Sequence, residues 1–147
     1  MVGGVVLTYG FIAMELIATA EYIVGKIEGI AAVSIRFNMD ALRARMMISQ
    51  AIHQVDQGEG VLIMTDFSGG ISYNMAFSFL KTDEVEVITG VNLPMILTFW
   101  NKRESRKMIE LARDLQLSGT RSIAVARDLM EEKAAIPAAV MDVSKNV

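Results

Sequence analysis

Val61-Leu62-Ile63-Met64-Thr65-Asp66-Phe67-Ser68-Gly69-Gly70 decides the architecture. Its first half is an unbroken apolar and β-branched run, the pattern of a strand covered on both faces, as in a parallel sheet. Its second half is a carboxylate and a glycine turn that feeds directly into a helical segment. Three more runs look like buried strands: Val5-Val6-Leu7-Thr8, Ala32-Val33-Ser34-Ile35 and Val85-Glu86-Val87-Ile88. The last alternates apolar and polar residues and is expected nearer an edge.

Between the strands the period lengthens to that of a helix. Ile12, Leu16, Ala20 and Ile23 recur at helical spacing, as do Leu42, Met46, Ile52 and Val55. Asp40 is a natural N-cap, and Gly25 and Gly58 fall where a left-handed residue closes a last turn. Further helices are expected over Ser72 to Leu80 and over Glu104 to Leu117, the latter closed by Gly119, with more helix within Thr120 to Lys133. Strand and helix therefore alternate. Short connections of this kind imply a doubly wound α/β domain, a mostly parallel four-stranded sheet with helices on both faces. The expected domain spans 1–133. The tail, 134–147, is left as packed, swapped or disordered, and a fifth strand is left to it or to a dimer partner.

Composition narrows the function. The chain has 147 residues, no cysteine and a formal charge of -3. Thiol catalysis and zinc–thiolate sites are excluded, no metal cluster or cofactor motif is evident, and a net acidic chain is a poor nucleic-acid binder. Mean hydropathy is +0.38. Even so, the longest uncharged stretch, Val87 to Asn101, is shorter than the roughly 18 residues of a membrane span and contains Pro94. With no basic start before an apolar segment, a cytoplasmic location and no membrane insertion are expected.

In open α/β sheets ligands gather beyond the carboxyl ends of the strands. The loops to examine are therefore Thr8-Tyr9-Gly10 and Asp66-Phe67-Ser68-Gly69-Gly70, the second running on through Ile71 and Ser72. A glycine turn at a helix start offers N–H groups to an anion, so Gly10, Phe67, Ser68, Gly69, Gly70, Ile71 and Ser72 are the candidate phosphate or anion site. No P-loop lysine follows, and Gly58-Glu59-Gly60 precedes a strand, unlike a dinucleotide fingerprint. The single histidine, His53, is expected at the far end of the second helix. Met46, Met47, Met75 and Met108 read as core filler, and Arg43, Arg45, Lys102, Arg103, Arg106 and Lys107 as solvated faces.

Taken together, these segments resemble the mannose-type enzyme IIA component of the bacterial phosphoenolpyruvate-dependent sugar phosphotransferase system. The resemblance runs from about Val5 to Ala126. It rests on Thr8-x-Gly10, on Glu15, Ala20, Glu21 and Gly25, on Gly58-Glu59-Gly60-Val61-Leu62, on Thr65-Asp66 with Gly69-Gly70 and Asn74, and on Thr89-Gly90-Val91-Asn92-Leu93-Pro94-Met95. It implies a parallel α/β domain, often a homodimer, that takes a phosphoryl group from the histidine phosphocarrier protein and passes it to an enzyme IIB domain.

The family carries that group on a histidine before the first-loop glycine. Here the position is Tyr9, and Asp66 matches the carboxylate that would orient the histidine. The family's Gly-Gly-Ser-Pro turn reads Gly69-Gly70-Ile71-Ser72. An ordinary imidazole is largely free at neutral pH, whereas an ordinary phenol is only about 0.1% ionised and yields a stable ester.

The first expectation is therefore a binding or regulatory module degenerate at its phosphorylation site. For Tyr9 itself two readings stay open, a side chain that fills the former pocket with its hydroxyl bonded to Asp66, or a ligand or regulatory role. The alternatives are an active carrier using Tyr9 or His53, and an anionic small-molecule binding domain. Whether the chain is an enzyme stays open. Asn92, Leu93, Pro94, Met95, Phe99 and Trp100 are the expected dimer surface.

Overall fold

The computed structural model describes residues 1–135. The elements run β1 (Gly3–Tyr9), α1 (Ile12–Val24), β2 (Ile30–Ile35), α2 (Ala41–Val55), β3 (Val61–Thr65), α3 (Ile71–Phe77), β4 (Val85–Thr89), α4 (Leu93–Lys102), α5 (Met108–Arg121) and α6 (Ala126–Ala135). All strand pairs are parallel and the sheet order is β2-β1-β3-β4. The expected doubly wound α/β fold is observed. The tail beyond 135 lies outside the described residues, and α6 runs past the expected boundary at 133.

Side chains alternate between two cores, as the pleat requires. Val6, Leu62 and Met64 face α1, α4 and α5, around Phe99, Ile96, Leu111 and Leu115. Val5, Leu7, Val33, Ile35 and Ile63 face α2 and α3, around Ile48, Ala51 and Val55. Gly4 shows why the central strand begins with glycines. A Cβ there would lie 2.6 Å from Cζ of the fully buried Phe99 ring. Phe99 is the largest side chain in the core, and truncating it would cost about 3–5 kcal/mol.

Helix α1 closes at Gly25 (φ 86°), as expected, and Asp40 caps α2 by accepting from the Arg43 N–H. Helix α2, however, closes at Asp56, two residues before Gly58. The inner faces also differ from the expected ones. Of the residues expected inside, Ala20 and Val55 are buried and Leu16 and Ile52 pack against the cores, but Ile12, Ile23, Leu42 and Met46 are exposed, and Ala13, Ala44, Ile48 and Ala51 are buried instead. Both helices lie close to the sheet on small residues. Since α1 is apolar almost all round, its periodicity could not select a face. Of the methionines read as core, Met46 is exposed, whereas Met47, Met75 and Met108 pack as core.

The largest departure is α4. Asn92 accepts from the Met95 N–H and Pro94 stands in the first turn, so a helix starts inside the stretch read as a dimer surface. Met95 and Phe99 consequently lie in the core, and Leu93 and Trp100 are half-buried against it. The following helix begins at Met108, not Glu104, and Gly119 lies buried within it rather than closing it. It ends at Arg121, and a break separates it from α6.

Arg103 is also unlike its expectation, being only 2% exposed. Its guanidinium donates to the Glu28 carbonyl and lies 5.3 Å from the Phe99 ring centre, while its own carbonyl accepts from Val2 N–H at 3.3 Å. Burial pulls its pKa below that of a free guanidinium. Arg45 is likewise tethered, to the Ser78 hydroxyl and over Phe79. Lys102 and Arg106 converge on Asp114.

Candidate functional site

The strand order places a reversal between β1 and β3. The first crossover leaves β1 for β2 on one side, and the next two carry the chain back past β1 to β3 and on to β4. Such a reversal opens a crevice beyond the strand ends. Tyr9 ends β1 and Asp66 follows β3, so the two loops singled out in the sequence meet there.

Asp66 is the joint between them. Its Oδ2 accepts from the Tyr9 backbone N–H at 2.9 Å, and its Oδ1 accepts from the Phe67 N–H at 2.9 Å and from the Ser72 hydroxyl. The carboxylate thus ties β1, the turn and α3 together through charge-assisted bonds. The expected contact with the Tyr9 hydroxyl is replaced by one with its amide. The reason is register: Tyr9 follows Val5 and Leu7 onto the α2 side and packs half-buried against that core. On the other side, Thr8 is fully buried and its Oγ1 accepts from the Ala13 N–H at 2.8 Å, capping α1 from the preceding strand.

Gly69 has φ 84°, a conformation natural to glycine, and Gly70 precedes the first residue of α3. A Cβ on Gly70 would fall 2.7 Å from Cζ of Phe67, so the aromatic ring lies against this glycine. Ser72 is buried with its hydroxyl committed to Asp66, whereas Ser68 and Ile71 are exposed. Gly10 turns the chain with φ 56° and its N–H donates to the Ile35 carbonyl. His53 is exposed in the last turn of α2. That helix ends against Gly3, at the opposite end of β1 from Tyr9, roughly 20 Å away along the strand.

A second feature escaped the sequence reading. Tyr9, Phe11, Ser34, Arg36 and Phe37 line a cleft of about 660 Å³ between the β1 and β2 ends. Only the pairing of β1 with β2 brings Phe11 and Phe37 together, and periodicity could not signal it. Among the described residues no group of three or more His, Cys, Asp or Glu is arranged to hold a metal, and no helix is long and apolar enough to cross a membrane.

A parallel sheet of order 2-1-3-4, with a carboxylate at the reversal joining the first and third strand loops, defines a small switch-point α/β domain. The family model described as the PTS system fructose IIA component matches residues 3–116, so the chain belongs to the mannose-type enzyme IIA family. It is 33% identical over 107 residues to the putative phosphotransferase enzyme IIA component YadI of Escherichia coli K12, covering 71% of this chain and 73% of that one. It is 31% identical over 84 residues to the fructose-specific EIIA component of Bacillus subtilis, covering 56% of this chain and 58% of the relative. The matched segment also spans 28% of the mannose-specific EIIAB component of Escherichia coli K12. Among solved structures, the PTS IIA protein associated with the fucose utilization operon of Streptococcus pneumoniae superposes with a TM-score of 0.78 at 22% identity, over 88% of this chain and 96% of that chain. EIIA from Streptococcus agalactiae gives 0.77 at 20%, over 87% and 99%.

Proposed function

We propose that this enzyme IIA domain is a binding or regulatory module of sugar phosphotransferase signalling, degenerate at its phosphorylation site. The observation that carries this reading is the state of Asp66. Its oxygens are engaged by the Tyr9 amide, the Phe67 amide and the Ser72 hydroxyl, so the carboxylate acts as a structural joint. Tyr9, at the position matching the family's acceptor, turns its ring toward the α2 side and away from that carboxylate. An ordinary phenol lacking an adjacent base is a poor phosphoryl acceptor at neutral pH.

The active-carrier alternative draws less support, because His53 stands at the other end of the sheet with no carboxylate bonded to it among the described residues. The anion reading over Gly69-Gly70 is weakened by the Phe67 ring against Gly70 and by the engagement of Ser72. The proposed location is the cytoplasm, with the histidine phosphocarrier protein, an enzyme IIB domain or a regulator as partners.

Homodimerisation is part of the same proposal. Its support is the apolar outer face of α1, where Ile12, Met14, Tyr22 and Ile23 are all more than half exposed. Sedimentation equilibrium is expected to give a dimer that Tyr22→Lys and Ile23→Lys dissociate; a wild-type monomer at micromolar concentration would remove this part.

The deciding experiment is transfer of labelled phosphate from phosphoenolpyruvate through enzyme I and the histidine phosphocarrier. No label on the wild type and labelling of Tyr9→His is the expected outcome. Label on the wild type that disappears in Tyr9→Phe or His53→Ala would make the protein an active carrier instead.

A further inference from the structure

Arg36 follows β2 and is exposed, and among the described residues no carboxylate lies within ion-pair distance of it. Four other cations do have a carboxylate partner, Lys26 on Glu28, Lys81 on Glu84, and Lys102 and Arg106 on Asp114, while Arg43, Lys107, Arg121 and Arg127 share with Arg36 the lack of one among the described residues. The nearest acid in sequence, Asp40, accepts from the Arg43 N–H. Arg36 shares its cleft with two phenyl rings held out toward water, Phe11 at 68% and Phe37 at 86% exposure. Ser34 stands in its wall, and the hydroxyl oxygen has no hydrogen-bond partner. Tyr9 contributes the remaining side.

A large exposed ring is an ordinary accident when it stands alone. Two rings from different loops on one concavity, with a guanidinium in the same lining, form a recognition set. Rings supply stacking faces for a flat ligand, and a guanidinium supplies forked donors that fit a carboxylate or phosphate. The cleft volume, about 660 Å³, is that of a small-molecule site.

The geometry points to a ligand site here for a small molecule that joins a flat aromatic ring to an anionic group. Phe11 and Phe37 take the ring, and Arg36 takes the carboxylate or phosphate. The site shares Tyr9 and Gly10 with the position that matches the family's acceptor, but it requires no phosphoryl transfer, so a binding test can fail without deciding the proposed function and the reverse. Occupancy would bear directly on Tyr9 and on the loop that starts α1, which is how a small metabolite could bias partner binding at this end of the sheet.

The test is titration of the 15N-labelled full chain with two probes, adenosine 5′-monophosphate and benzoate, followed by amide shifts. Adenosine and inorganic phosphate serve as the ring-only and anion-only controls. Saturable shifts at residues 9–12 and 34–37 with at least one probe are expected, the phosphate and carboxylate sources being separated by which probe saturates. Arg36→Ala is expected to weaken that probe about tenfold, bringing adenosine 5′-monophosphate down to adenosine. Phe37→Ala is expected to weaken it by a similar factor. No saturation by either probe at roughly millimolar concentration, shifts centred on residues 66–72, or unchanged affinity in a folded Arg36→Ala protein would each overturn the assignment.

Discussion

On the β3 side of Tyr9 the loop is held by its own polar groups, although the buried Thr65 hydroxyl has no partner: Asp66 accepts three hydrogen bonds, Ser72 is spent on it, and the Phe67 ring lies on Gly70. On the β2 side, a few residues away, Arg36 has no carboxylate partner among the described residues and Phe11 and Phe37 face water. The same end of one sheet thus holds a closed half and an open half. A closed half stores stability, while an open half leaves its interactions to something outside the chain. Substitutions in the two halves should therefore fail in different ways.

The largest effect is expected from Asp66→Ala, which strands two backbone donors and a hydroxyl. A loss of about 2–3 kcal/mol in urea unfolding is expected, given their partial exposure. Asp66→Asn, which keeps acceptor capacity on one oxygen, should lose less. Next is Gly69→Ala, where nothing crowds a Cβ and the cost is the positive φ alone, about 1 kcal/mol by the same measurement. In the open half, Arg36→Ala should leave stability within about 0.5 kcal/mol of wild type. A drop as large as that of Asp66→Ala would break the contrast between the halves.

The smallest effect is a control remote from both. The hydrogen bond from Lys102 holds the Asp114 carboxyl below its ordinary pKa of 3.8, with Arg106 adding to the shift. A lowered folded-state value means stability present above the unfolded value and lost as pH falls from there through the folded one. Lys102→Ala should flatten that acid limb in pH-dependent melting without touching either half of the site.

How far these halves can be read from sequence differs for physical reasons. The strands were legible because β-branched runs end at glycines and at Asp66, and the meeting of the first and third loops follows from the alternation of strand and helix. The atom by which Tyr9 meets Asp66 was not legible, because pleat register turned the ring aside and left the amide to bond. Helix α4 was missed although Asn92 and Pro94 are ordinary start signals; its apolar residues read equally well as a surface until α5 covers them. The burial of Arg103 depends on a carbonyl 75 residues away, at Glu28, and no local pattern carries that. The Arg36 cleft depends in the same way on strand pairing.

That buried arginine also sets an order of events. The central strand precedes every other described element of the domain, yet the N–H of Val2 at its start is held by the carbonyl of Arg103, and Gly29 beside it leaves no room for a side chain next to the same guanidinium. During synthesis β1 must wait for α4 to emerge before its lower end can be fastened. Nested fragments ending before residue 103 should therefore stay protease-sensitive, and resistance should appear once that residue has been added.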